Sequence, residues 1–275
     1  MTDEGAMAHP HVHGRSRIRE RVLAGETVVG AFANLGAPAS AELLARAGFD
    51  WLIVDLEHGA GTEAALAAQL YAIESAGALG GRTTAALVRP EEGTRLRIGR
   101  ALDAGAEGVM IPRLEAADDV RRIVGWLRYP PDGVRGLALG TRGAEQGEVG
   151  HADVRALNAR VLGIIQIESG PAVDAASAIA AIDGVDVLFV GPTDLSHALG
   201  MPGRFDDPRF GEALATVVAA CRAHGKAPGI LLRRLDDLDR YLELRFTFVG
   251  LGSDGAFVTD GARAAVAAAR GRTGA

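Results

Sequence analysis

The sequence predicts an α/β protein whose strands close into a (β/α)8 barrel. Eight short apolar or β-branched runs alternate with eight helix-like stretches along the 275 residues. The runs are apolar on both faces, which is typical of buried parallel strands. Eight even repeats favour a closed barrel. A doubly wound open sheet is the alternative, but the even alternation shows no obvious switch point in strand order.

Each element follows from local composition. Runs rich in Val, Ile, Leu and Phe predict strands at residues 28–33, 51–54, 84–88, 108–111, 161–167, 187–190, 228–232 and 246–250. Stretches rich in Ala, Leu, Arg and Glu predict helices at residues 39–47, 63–76, 95–104, 116–127, 172–181, 210–223, 235–244 and 257–269. A basic amphipathic segment at 15–24 predicts an extra N-terminal helix before the first strand.

Two segments fall outside this rhythm. Residues 1–14 are polar and are expected to form a mobile tail, so that residues 15–275 form a single barrel domain. Residues 128–160 form a long irregular insert rich in Gly and polar side chains. Such an insert is usually functional or mobile, and the sequence leaves open whether it covers the catalytic end of the barrel or is a tolerated surface insertion.

Composition excludes several classes of partner. The net charge is −6 and no basic block occurs, which argues against nucleic acid and anionic membranes as partners. No run of about 18 apolar residues could span a bilayer, and the N-terminus has no apolar core of a signal peptide. The single Cys221 excludes an internal disulfide and fits a reducing compartment, so a cytoplasmic location is expected.

Two carboxylates follow neighbouring strands and are the first candidates for a functional site. Glu168 follows the run at 161–167, and Asp194 follows the run at 187–190 through a short Gly-Pro-Thr turn. Their spacing of one strand–helix–strand repeat places both at the C-terminal ends of adjacent strands, where barrel active sites lie. Two carboxylates suit a divalent cation such as Mg²⁺ or Mn²⁺ and leave positions for water and substrate. The alternative is that each acid caps the helix that follows it.

Other polar residues are expected at the same end of the barrel. Arg89 ends the third strand and suits a carboxylate or an enolate oxygen. The alternative is a structural ion pair with Glu57, Asp55 or Glu91. His58 follows the second strand and can move protons near neutral pH, with Asp55 and Glu57 close enough to orient it. The alternative is that His58 is a satisfied structural residue. The Gly191-Pro192 turn is expected to leave the backbone N–H groups of Gly191 and Thr193 free for a substrate carboxylate, unless it serves only as a turn.

The position of lysine restricts the chemistry. The chain has one lysine, Lys226, which lies just before the seventh strand and therefore at the end of the barrel opposite the expected site. A Schiff-base aldolase needs a lysine in the mouth of the barrel. Enolate chemistry in this chain would therefore have to be assisted by a metal.

Several of these motifs together resemble the metal-dependent class II 2-keto acid (pyruvate) aldolases of the aldolase/citrate lyase family. That group includes 4-hydroxy-2-oxoheptanedioate and 2-keto-3-deoxy-L-rhamnonate aldolases. The motifs run in order along the chain from about residue 20 to about residue 260. They are E-L-L-A-R-A-G-F-D-W-L-I-V-D-L-E-H-G at 42–59, V-R-P at 88–90, L-D-A-G-A-E-G-V-M-I-P at 102–112, R-Y-P-P at 128–131 with G-V-R-G at 133–136, Q-I-E at 166–168, and G-V-D at 184–186 leading to G-P-T-D-L-S at 191–196.

The resemblance implies a role for each candidate residue. Glu168 and Asp194 would hold a divalent cation (Mg²⁺, Mn²⁺ or Co²⁺), and pyruvate would chelate it. Arg89 would stabilise the enolate oxygen, and His58 with Asp55 behind it would move the proton of the aldehyde-derived hydroxyl. The residues expected to line the substrate site are Gln166, Gly191, Pro192, Thr193 and Leu231.

The resemblance also implies an assembly and a reaction. Family members are usually hexamers, trimers of dimers, in which the last helix is exchanged between subunits. The implied reaction is the reversible cleavage of a 4-hydroxy-2-oxo acid into pyruvate and an aldehyde. The chain departs from the family pattern at Phe32, where Trp is frequent, and at Arg113, where a small or apolar residue is common. These departures bear on the range of substrates.

Two other functions are compatible with the same residues. A related barrel lyase could act on oxaloacetate or on an acyl-CoA thioester, although Arg135 and Arg142 are thin support for a CoA phosphate path. A non-catalytic barrel could bind a keto acid, but intact His58 and Arg89 argue against it.

Overall fold

The computed structural model describes residues 16–79, 81–232 and 234–273, and these residues build a closed barrel of eight parallel strands in sequential order. The expected tail at 1–14 lies outside the described residues. The strands are β1 Val28–Ala33, β2 Trp51–Asp55, β3 Ala85–Arg89, β4 Gly108–Ile111, β5 Leu162–Ile167, β6 Val187–Val190, β7 Ala227–Leu231 and β8 Phe248–Ser253. The predicted (β/α)8 barrel is confirmed.

Helices surround the barrel and connect its strands. They are α1 Ile18–Leu23, α2 Pro38–Arg46, α3 Glu63–Leu79, α4 Arg95–Asp103, α5 Ala117–Val124, α6 Gly170–Asp174, α7 Ala176–Ala180, α8 Pro192–Ala198, α9 Pro208–Ala223, α10 Leu238–Glu243 and α11 Asp254–Thr273. Short 3₁₀ turns lie at Gly125–Leu127, Arg142–Gly147, Val154–Ala159 and Leu235–Asp237. Helix α8 falls in a stretch where the sequence predicted only a turn.

Alternation along each strand separates two apolar cores. Leu162 and Ile164 of β5 face the barrel interior, whereas Ile165 and Ile167 pack between the sheet and the helices. The other strands alternate in the same way, as expected for a period of two residues. The interior is filled by four aromatic rings, of which Trp51 and Phe248 stack with centroids 4.3 Å apart. The interior is therefore packed, and a ligand can be held only above the aromatic layer.

The N-terminal end of the barrel is closed by α1. Ile18 and Val22 are buried against the interior core, and Arg19 forms a bidentate pair with Asp186 at the start of β6, at 2.9 and 3.0 Å. The expected N-terminal helix is therefore present, although it begins three residues later than predicted. Closure of this end leaves the C-terminal ends of the strands as the open mouth.

The long insert lies at the N-terminal side of the barrel, away from the mouth. It follows α5 and precedes β5, and connections from a helix to a strand lie at the end of a barrel opposite the active site. Its buried side chains form a small apolar cluster around Tyr129, and Arg135 pairs with Asp103 at the end of α4 at 2.8 Å. The possibility that the insert covers the catalytic end is therefore wrong, because the insert leaves helix α5 and not strand β4.

Candidate active site

The inward-facing rows of four strands each end in a polar residue or a glycine at the mouth. The row of β2 ends at Asp55, that of β3 at Arg89, that of β5 at Gln166 and that of β6 at Gly191. Asp55 and Arg89 are also register partners in the sheet. Since neighbouring strands in a barrel are less than about 5 Å apart, these polar groups are brought together.

A cavity of about 360 Å³ opens at this mouth. Nine of the ten residues expected at the site line it: Asp55, His58, Arg89, Gln166, Gly191, Pro192, Thr193, Asp194 and Leu231. The tenth, Glu168, lies beside the cavity, because a Cβ placed on Gly191 would come within 3.3 Å of its carboxylate. A cavity of this size is large enough for a small organic acid.

Arg89 is held by a buried ion pair. Its Nε and Nη2 donate to the two carboxylate oxygens of Asp55 at 2.9 and 2.8 Å, and both side chains are more than nine-tenths buried. Its Nη1 donates to the amide oxygen of Gln166 at 3.3 Å and lies 3.2 Å from Glu57. The guanidinium also lies over the ring of Phe32, 5.0 Å from the centroid. These contacts fix the orientation of a permanent positive charge in the wall of the cavity.

The sequence suggested that Asp55 stands behind the imidazole of His58, but the structure gives the Asp55 carboxylate other partners. Its carboxylate accepts the two bonds from Arg89 and the backbone N–H groups of Glu57 and His58, at 3.1 and 3.3 Å. The His58 ring is about half exposed, and its Nε2 lies 3.7 Å from Glu57 Oε2. Asp55 therefore positions Arg89 and the loop that carries His58, and Glu57 is the carboxylate nearest to the imidazole.

Glu168 is a carboxylate held among like charges. Its oxygens accept hydrogen bonds from the backbone N–H of Arg113 at 2.9 Å and from the side-chain amide of Gln166. Burial raises the pKa of Glu168 above its ordinary value, the bond from Arg113 opposes this, and the negative charges of Glu57 and Asp194 raise the pKa further. A divalent cation would remove this repulsion, because it would be shared by oxygens that now repel one another.

The residues present fit a two-carboxylate metal site. Glu168 and Asp194 provide hard oxygen ligands of the kind that Mg²⁺ and Mn²⁺ prefer. In the part of the chain that the structure describes, no group of three or more His, Cys, Asp or Glu side chains is placed to hold an ion on its own. Water and substrate oxygens would therefore complete the coordination.

The Gly191 turn differs from the sequence expectation. The Gly191 N–H donates to the carbonyl oxygen of Ile167 at 3.1 Å, so it continues the strand ladder and is not free. Pro192 then begins α8, and Asp194 lies in the first turn of that helix. The first N–H groups of a helix have no partner within it, so Thr193 keeps the donor that the sequence assigned to this turn.

The sequence offered Glu57 as an ion-pair partner of Arg89 and as a group that could orient His58, and the structure places Glu57 at the centre of the charged cluster. Its side chain is 7% exposed, and it lies within 3.2 to 3.7 Å of Arg89, Arg113 and His58. Its Oε2 is buried and accepts no hydrogen bond. The signal in the sequence was its spacing of two residues from Asp55, which favours the same inward direction when a strand continues into its loop.

Comparison with known proteins decides the family. A family model described as HpcH/HpaI aldolase/citrate lyase matches residues 29–260. The chain belongs to this family. The resemblance noted from the motifs is confirmed, and the chain is an enzyme of a lyase family.

Relatives in this family share most of their length with the chain. It is 37% identical over 239 residues to a 5-keto-4-deoxy-D-glucarate aldolase of Klebsiella pneumoniae, covering 87% of this chain and 91% of that protein. A solved structure of an HpcH/HpaI aldolase/citrate lyase family protein from Burkholderia cenocepacia J2315 is 35% identical, with a TM-score of 0.86 and coverage of 93% and 99%. The citrate synthase SbnG is 26% identical, with a TM-score of 0.83 and coverage of 95% and 100%.

Proposed function

We propose that this protein is a divalent-metal-dependent aldolase that reversibly cleaves a 4-hydroxy-2-oxo acid into pyruvate and an aldehyde. The observation that carries the proposal is the cavity at the barrel mouth, where a fixed guanidinium, an imidazole and two carboxylates that follow the neighbouring strands β5 and β6 converge. The naming of curated relatives as 5-keto-4-deoxy-D-glucarate aldolases supports the same reaction class.

Cleavage of the bond between C3 and C4 leaves a pair of electrons on the pyruvate fragment, which must be stabilised as an enolate. A bound divalent cation would supply Lewis-acid stabilisation of that charge, held by Glu168 and Asp194. Arg89 lines the cavity with a charge that Asp55 and Gln166 hold in one orientation. We assign to Arg89 the developing enolate oxygen, since a preoriented donor needs no reorganisation during the reaction.

The proton of the C4 hydroxyl must leave during cleavage and return during aldol addition. His58 is the imidazole that lines the cavity, and its Nε2 lies 3.7 Å from Glu57 Oε2. His58 accepts this proton, directly or through a water molecule. The enolate left by the cleavage then takes a proton from water at C3 to give pyruvate. The backbone N–H of Thr193, at the beginning of α8, is assigned to the carboxylate of pyruvate, with Pro192 and Leu231 forming the adjoining walls.

The last helix supports an assembly of several subunits. Helix α11 is exposed along most of its length, including 41% of Phe257, 62% of Val258 and 50% of Val266. Its first turn packs on the barrel, where Phe257 stacks on Phe49 with centroids 6.2 Å apart. We propose that the remaining apolar side chains pack on another copy in a homo-oligomer, a hexamer with α11 exchanged between subunits. Light scattering after size exclusion tests this, and a monomer at micromolar concentration would contradict it.

We also propose that the protein acts in the cytoplasm and has neither a membrane nor a nucleic acid as a partner. In the described ranges, no helix has the length and hydrophobicity needed to cross a bilayer. Cys221 is a buried free thiol and the only cysteine of the chain, which fits a reducing cytoplasm. The net charge of −6 gives no reason to expect nucleic acid as a partner.

Pyruvate release from 5-keto-4-deoxy-D-glucarate tests the proposal, measured through the oxidation of NADH by lactate dehydrogenase. Activity should disappear after treatment with a chelator and return with Mg²⁺, Mn²⁺ or Co²⁺; the ion that restores most identifies the preferred metal. Arg89→Ala should reduce the rate to background, because it removes the oriented charge. Full activity of the metal-stripped enzyme would refute the proposal. Release of pyruvate and CO₂ from oxaloacetate, without cleavage of 5-keto-4-deoxy-D-glucarate, would instead indicate a decarboxylase.

A further inference from the structure

Arg113 combines an unusual backbone conformation, a backbone bond to Glu168 and a mostly exposed side chain to which the proposed reaction assigns no role. It follows Pro112 after β4, and its backbone has a φ of 59°, in the left-handed region that residues other than glycine adopt infrequently. Its backbone N–H donates to Glu168. Its side chain is 75% exposed, although its Nε reaches Glu57 at 3.3 Å. A strained backbone at a functional site is retained when its geometry is needed.

The electrostatics of the mouth give this second guanidinium a role. Asp55, Glu57, Glu168 and Asp194 place four carboxylates around the mouth, and Arg89 with a divalent cation balances three of their four charges. The fourth charge is balanced by Arg113, which stands at the rim on the β4 side and contacts Glu57. Without Arg113, the mouth would carry a net negative charge before pyruvate enters, and a second anion would be repelled.

The two guanidinium groups differ in how much of their hydrogen-bonding capacity is used. Arg89 spends three of its nitrogens on Asp55 and Gln166 inside the barrel. Arg113 contacts Glu57 through its Nε, and most of the Arg113 side chain is exposed. The planar fork of an arginine binds a carboxylate through two parallel bonds, and exposure leaves the Arg113 side chain able to turn toward an incoming ligand.

We propose that Arg113 binds the carboxylate of the aldehyde partner, so that this enzyme prefers acceptor aldehydes that carry an anionic group. The inference rests on the proposed aldolase function and specifies its second substrate. It agrees with the chemistry of the named relatives, since retro-aldol cleavage of 5-keto-4-deoxy-D-glucarate yields pyruvate and tartronate semialdehyde, which is an anionic aldehyde.

A matched pair of aldehydes tests this assignment. Tartronate semialdehyde and glyceraldehyde have the same carbon skeleton and differ in a carboxylate against a hydroxymethyl group. For the wild type, kcat/KM in the addition of pyruvate should favour tartronate semialdehyde. Arg113→Gln keeps a side chain of similar polarity and the backbone N–H to Glu168, and should lower that preference by roughly 10- to 100-fold, mainly through KM. Arg113→Lys keeps the charge without the fork and should lie between the two.

Arg121, a second exposed arginine, provides the control variant. Arg121 of α5 is 63% exposed and pairs only with a surface acid, Asp118, so Arg121→Gln should leave the preference within twofold of the wild type. An equal loss with both aldehydes in Arg113→Gln would overturn the inference, because Arg113 would then act on Glu57 or Glu168 and not on the acceptor. An unchanged preference would overturn it as well. Absence of product from the wild type with every aldehyde would overturn the aldolase proposal itself.

Discussion

Replacement of Asp55 by Asn probes the contact that orients the catalytic arginine. Asp55 accepts two bonds from Arg89 at 2.8 and 2.9 Å and two from backbone N–H groups at 3.1 and 3.3 Å. Asn has nearly the same shape but carries no charge, and its NH₂ group faces at least one of these donors. Because Asp55 is 3% exposed and the side chain of Arg89 is 9% exposed, water cannot replace the lost bonds.

The expected cost follows from this burial. Removal of one partner from a buried pair costs about 3 to 5 kcal/mol, and we expect the free energy of unfolding of Asp55→Asn to fall by roughly that amount. A displaced Arg89 should also lower kcat/KM by about 100-fold or more, since a shift of about 1 Å is enough for such an effect. Urea unfolding and the pyruvate-release assay measure the two quantities. Asp118→Asn is the control: its side chain is 94% exposed, and loss of a surface pair costs only about 0 to 1 kcal/mol. Unfolding energies and rates of Asp55→Asn that match this control would refute the assigned role.

Three further predictions concern the metal ligand, its neighbouring glycine and the buried thiol. The pKa of Glu168 is raised, so protonation of this carboxyl stabilises the metal-free protein as pH falls through that pKa. Protons then compete with the cation, and Mn²⁺ titrated by calorimetry should bind more weakly near pH 5 than near pH 7. Glu168→Gln should remove the binding, and equal affinity at both pH values would contradict this prediction. Gly191→Ala would place a Cβ 3.0 Å from the Gln166 amide and 3.3 Å from the Glu168 carboxylate, so it should weaken metal affinity while the circular dichroism spectrum stays unchanged. Burial raises the pKa of Cys221 to about 12. Its thiol should therefore resist Ellman's reagent at pH 8 until urea unfolds the protein. The free energy of unfolding should fall as pH rises from about 9 toward 12, because the thiol ionises first in the unfolded chain.

The sequence predicted the barrel well because its signals are local. Apolar runs bounded by Gly, Pro and Asp report strands, and a period of two places Gln166 and Glu168 on the same inward face. The order of repeats then brings strand ends to one mouth without any knowledge of side-chain contacts. For this reason nine of the ten expected site residues line one cavity.

Contacts between side chains could not be predicted in the same way. The sequence offered Asp55, Glu57 and Glu91 as possible ion-pair partners of Arg89. The bidentate bond that forms with Asp55 depends on strand register across 34 residues, which the sequence leaves undetermined. The pattern also suggested that Asp55 served His58, because the two are close in sequence. The direction of the Glu57 side chain depends on the loop after β2, and loops follow no periodicity.

Helix α8, the insert at 128–160 and the role of α11 were placed imprecisely, because short local patterns do not determine them. Helix α8 is a single short stretch opened by Pro192, and a Gly-Pro-Thr sequence is equally compatible with a turn. The end of the barrel that an insert covers depends on whether a helix or a strand precedes it, and the boundary of α5 near Val124 decides this. The proposed packing of the exposed apolar residues of α11, such as Val258 and Val266, on another copy is a contact between chains, and the repeat pattern of one chain carries no signal for it.

The central claim is that this chain forms a pyruvate enolate with the help of a divalent cation and Arg89. Exchange of the methyl protons of pyruvate in D₂O, followed by proton NMR without any aldehyde, measures enolate formation directly. We predict exchange in the enzyme loaded with Mg²⁺ or Mn²⁺, no exchange above background in the chelator-treated enzyme, and none in Arg89→Ala with metal added. Exchange that is unaffected by removal of the metal, or its absence from the metal-loaded wild type under conditions where pyruvate binds, would contradict the account.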